Sequence, residues 1–134
     1  MGQLIFPEFD KKVSLTEPIT TGEFLAANFE QLDLVAEEIG VTPPISTFGD
    51  KREVPEDFDG DPDELDDVLG PRTDWYDSQD GAKVFSTFLQ ALRSRPKLQQ
   101  RLDDFQDVAE ELEDLIRQLE AAARAGARFR LELS

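Results

Sequence analysis

The sequence predicts an α+β domain: three main helices packed with a small sheet. Three observations carry that expectation. Apolar residues recur at helical spacing through three long segments, each bounded by capping or breaking residues. The chain's last residues, GARFRLEL, switch from a period near 3.6 to a period of 2. A half-buried terminal strand needs neighbours, and short strand-like stretches near the amino terminus offer them. An all-α bundle is the alternative.

In chain order, QLIF (3–6) and KVSLT (12–16) are short strand candidates, joined across Pro7 and a polar stretch as a loose hairpin. Residues 21–39 form the first helix. Thr20 or Thr21 caps it, Glu23 lies in its first turn, and Leu25, Phe29, Leu32, Ala36 and Ile39 line one stripe. Gly40 ends it. The paired prolines of VTPPISTFGD then favour extended backbone, with Ile45 and Phe48 on an edge strand.

A second helix covers 78–94, capped by Asp77 or Ser78, with Asp80 near the positive end of its dipole. Val84, Phe85, Phe88, Leu89 and Leu92 give it an apolar face. Arg93, Arg95 and Lys97 carry the charge expected at a helix end, and Pro96 starts the third helix, 97–125. Phe105, Val108, Leu112, Leu115, Leu119 and Ala122 form its stripe, widened by Ile116, and Gly126 stops it. About two and a half heptads are short for a free coiled coil, so the stripe is read as domain core rather than a dimer seam. The terminal strand, 127–133, points Phe129, Leu131 and Leu133 one way and Arg128, Arg130 and Glu132 the other.

With 134 residues the chain is one ordinary domain, 1–134, with an acidic connection at 49–76. There is no cysteine and no histidine. That removes disulfides, thiolate nucleophiles, the commonest general base and the commonest transition-metal ligand. No secretory signal or membrane-length apolar run is present, so a cytoplasmic protein is expected. The glycines are scattered, without a phosphate-cradling pattern, and the serines have no histidine to activate them. No cofactor is expected, and an enzyme is unsupported.

Net charge is −16, and residues 50–80 hold thirteen acids against three bases. Such a field repels nucleic acid and anionic membranes and attracts basic proteins or cations; simple solubilisation is the bland explanation. Within DFDGDPDELDDVLGP (57–71), Asp57, Asp59, Asp61 and Asp63 alternate like calcium ligands. The registers fail. Starting at Asp57 puts Pro62 at loop position 6 and Val68 at 12; starting at Asp59 puts Glu64 and Gly70 there; starting at Asp61 puts Leu65 at 5. Asp61 as N-cap, Pro62 as N1 and Glu64 as N3 instead define a short helix near 62–69. Weak cation binding by the four aspartates stays open as a second reading.

The same segment carries Phe58, Trp75 and Tyr76. Acids with interleaved aromatics make a hook for a basic partner, through Phe58, Asp59, Asp61, Asp63, Trp75 and Tyr76. Against this, large apolar side chains usually fold onto the core, and Trp75 suits a core anchor. Arg93, Arg95, Lys97 and Arg101 form a basic cluster; complementing helix ends or the chain's own acids is favoured over phosphate binding.

Trp75-Tyr76-Asp77, Gly81, the arginine-ended helix, the Leu/Ile-striped helix and GARFRLEL together resemble a group of small bacterial proteins of uncharacterised function. That group shares a Trp-aromatic-Asp start, two helices and an alternating C-terminal strand. The likeness covers roughly 72–134, with a fainter match at 32–43 (LDLVAEEIGVTP). Members often have a histidine in the last strand where this chain has Arg130, so any role of that histidine is absent. The resemblance implies the terminal strand and a bacterial origin, and no activity.

The functional expectation is a non-enzymatic acidic module that binds a basic protein, as an immunity-like inhibitor or adaptor does. A weak divalent-cation module and a carboxylate-based enzyme are the alternatives. The module is expected as monomer or homodimer.

Overall fold

The computed structural model describes residues 3–13, 22–49 and 74–133. Asp57, Phe58, Asp59, Asp61 and Asp63, the short helix near 62–69, the caps Thr20 and Thr21 and the second half of KVSLT lie outside the described residues. Within them the fold is α+β, with six helices and a three-stranded antiparallel sheet.

The elements run β1 (Ile5–Phe9), α1 (Glu23–Ala27), α2 (Phe29–Ile39), α3 (Pro44–Phe48), β2 (Tyr76–Asp77), α4 (Ser78–Arg93), α5 (Pro96–Gln99), α6 (Phe105–Arg124) and β3 (Arg128–Leu133). The terminal strand is the centre of the sheet, in the order β1-β3-β2. Glu8 faces Arg130 and Phe9 faces Phe129 in one pair; Tyr76 faces Phe129 in the other.

The partner of β1 is therefore the far end of the chain, not Lys12 and Val13, which belong to no strand. Pro7 is tolerated for a geometric reason. Asp10 donates its N–H to the Arg128 carbonyl, so residues 6, 8 and 10 point their amides at β3. Pro7, in the alternate phase, would turn its missing N–H to the open edge.

Helix α4 matches its expected span, and Asp77 caps it by accepting the Asp80 N–H at 2.9 Å. Helices α4 and α6 form the main helix pair, with Phe85, Phe88, Leu112 and Leu119 fully buried. Phe129 of β3 closes one end of this core and touches Phe48 at 5.0 Å between ring centroids. Gly81 lets the strand approach: a Cβ there would lie 2.4 Å from the Phe129 ring.

Three expectations are corrected. The first helix is broken at Asn28, whose Nδ2 donates to the Phe24 carbonyl, so α1 and α2 are separate. The break shifts the stripe: Val35 is buried, whereas Phe29 is exposed. Ile45 and Phe48 belong to a helix, not an edge strand. Pro44 opens α3, and Asp33 accepts the N–H of Ile45 at 2.9 Å and of Ser46 at 3.0 Å. The third helix is also two. Asp104 adopts φ 56°, and Asn28 grips both the N–H and the C=O of Asp103, so residues 100–104 turn between α5 and α6.

Candidate functional site

Two places concentrate polar side chains that the core does not require. The first is a buried row on α6. The apolar stripe of that helix packs on α4, while Glu111, Asp114 and Gln118, spaced by three and four residues, follow one another along the adjoining face. All three are buried, and Glu111 is only 3% exposed.

Glu111 faces the start of α1. Its Oε2 accepts the Gly22 N–H at 3.0 Å and its Oε1 accepts the Leu25 N–H at 2.8 Å. These amides belong to the first turn of a helix, where no intrahelical acceptor exists, so a carboxylate from α6 completes the end of α1. Gly22 is required by the same contact. It sits at φ 86°, and a Cβ would fall 1.9 Å from the Ile5 carbonyl oxygen. Burial pushes the Glu111 carboxyl above its ordinary pKa of 4.5, and the backbone hydrogen bonds oppose that rise only in part.

Asp114 is held by its own helix: Arg117 donates to Oδ1 at 2.5 Å and Gln118 to Oδ2 at 3.2 Å. Together with Leu115, these side chains floor a cleft of about 350 Å³. Its walls are the chain from Leu4 to Pro7 and the start of α1. Phe6 stands at the cleft with 38% of its surface exposed.

The second place is the outer face of the sheet. Arg130 lies across the Trp75 ring, 4.2 Å from its centroid, and its guanidinium reaches Glu8 and Glu132, each at 3.2 Å. The arginine side chain is thereby 12% exposed although it lies on the solvent side of β3. Trp75 is half-buried under this cation and, among the described residues, is not grouped with the hydrophobic core. Tyr76 does pack against the core, 5.4 Å from Phe48 and 6.4 Å from Phe129.

The structure thus brings Trp75 and Tyr76 to neighbouring positions on opposite sides of the sheet. The other four expected partner-binding residues lie outside the described segments. In the basic cluster, Arg93 pairs with Glu113 and Arg101 with Glu38. Among the described residues no three acids are grouped so as to hold a metal ion, and no helix is long and apolar enough to cross a membrane.

Sequence reasoning missed Glu111, Asp114, Gln118 and Asn28. One signal was available for the first three: polar residues at 3- and 4-residue spacing border the apolar stripe of α6. No protein-family model matches the chain, and no curated protein and no solved structure matches it.

Proposed function

We propose that the chain is a non-enzymatic, acidic interaction module that binds a basic protein partner in a reducing, cytoplasmic setting. One observation supports this reading above others. Net charge is −16, and five arginines (Arg93, Arg101, Arg117, Arg128 and Arg130) are engaged in intramolecular ion pairs. Exposed cations such as Arg93, Arg101 and Arg128 lie beside carboxylates of the chain itself, while Glu30, Glu37, Glu110 and Glu120 also face solvent. An incoming partner meets carboxylate, and a basic surface is steered toward it.

The acids from Asp57 to Asp63, with Phe58 and Trp75, are the proposed contact residues. Catalysis by paired carboxylates gains no support from the cleft. All four oxygens of Glu111 and Asp114 already accept hydrogen bonds that hold the chain together.

The test is affinity capture from the source cell at low and high salt, followed by identification of what is retained. The reading predicts a basic protein, captured at low salt and released by high salt. Retention of only acidic or neutral proteins, indifferent to salt, overturns it.

A further inference from the structure

We draw no further inference here: the strongest candidate, the outer face of α2 where Leu34, 49% exposed, stands among Glu30, Glu37 and Glu38, is a single apolar side chain in an acidic cluster, and nothing in the structure shows what covers it.

Discussion

Glu111 Oε1 accepts the backbone N–H of Leu25 at 2.8 Å, joining positions 86 residues apart in sequence. The same carboxylate takes the N–H of Gly22, so one side chain of α6 completes the amino end of α1. Truncating it to alanine leaves two amides without their acceptor in a buried place. Glu111→Ala is expected to lower stability by about 2–4 kcal/mol, measured by urea denaturation. A loss within experimental error of zero contradicts the role.

The Glu111 carboxyl titrates above its ordinary 4.5 because burial penalises its charge. The folded state therefore holds this proton more tightly than the unfolded one. Its contribution to stability is fully present below pH 4.5 and is lost as pH rises through the folded value. Relative to Glu111→Gln, which cannot titrate, the natural chain should gain stability between pH 7 and pH 4.5. Parallel denaturation series for the two proteins measure the difference; a gap that is constant or moves the other way refutes it.

Gly22 cannot carry a side chain. Its φ of 86° disfavours one, and a Cβ would overlap the Ile5 carbonyl. Gly22→Ala is expected to cost on the order of 3 kcal/mol or more and to release the amide that reports on Glu111. Hydrogen exchange at Leu25 should speed up in the same variant.

How much of this was legible beforehand depends on whether the cause is local. The Asp77 cap and the alternation of Phe129 with Arg128 and Arg130 involve neighbours in sequence, and both were readable. The breaks were not. Asn28 interrupts one helix and, through Asp103, sets the turn before another; its two sites are 75 residues apart. Asp33 caps α3 from the preceding helix, overriding an extended expectation for the prolines. Glu111 sits among several other acids of α6 in sequence. Its burial follows from α1 and β1 closing over it, and the spacing of polar residues beside the α6 stripe is the one local hint of that.

Asn28 therefore makes a prediction of its own. Asn28→Ala removes three side-chain hydrogen bonds, to Phe24 and to both backbone groups of Asp103. A loss of about 1–3 kcal/mol is expected. Asp104, held at φ 56°, is the complementary case. Asp104→Gly should be neutral or stabilising by up to about 1 kcal/mol, and a clear destabilisation would show that the turn depends on the aspartate side chain.

Trp75 separates the structural from the interactive use of an aromatic. Trp75→Ala removes the ring beneath Arg130 and should cost about 0.5–2 kcal/mol. An interface role adds a loss of partner affinity beyond what that destabilisation produces. Binding that is unchanged in a folded Trp75→Ala protein would restrict the ring to holding Arg130.

The measurement that tests the central claim most directly is calorimetric titration of the captured partner, purified, across a range of ionic strength. It compares the natural chain with one in which Asp57, Asp59, Asp61 and Asp63 are replaced by asparagine. An acidic module acting by charge predicts affinity that falls steeply with salt and is much reduced in the neutralised variant. Affinity that is independent of salt, or unchanged by the four substitutions, contradicts it.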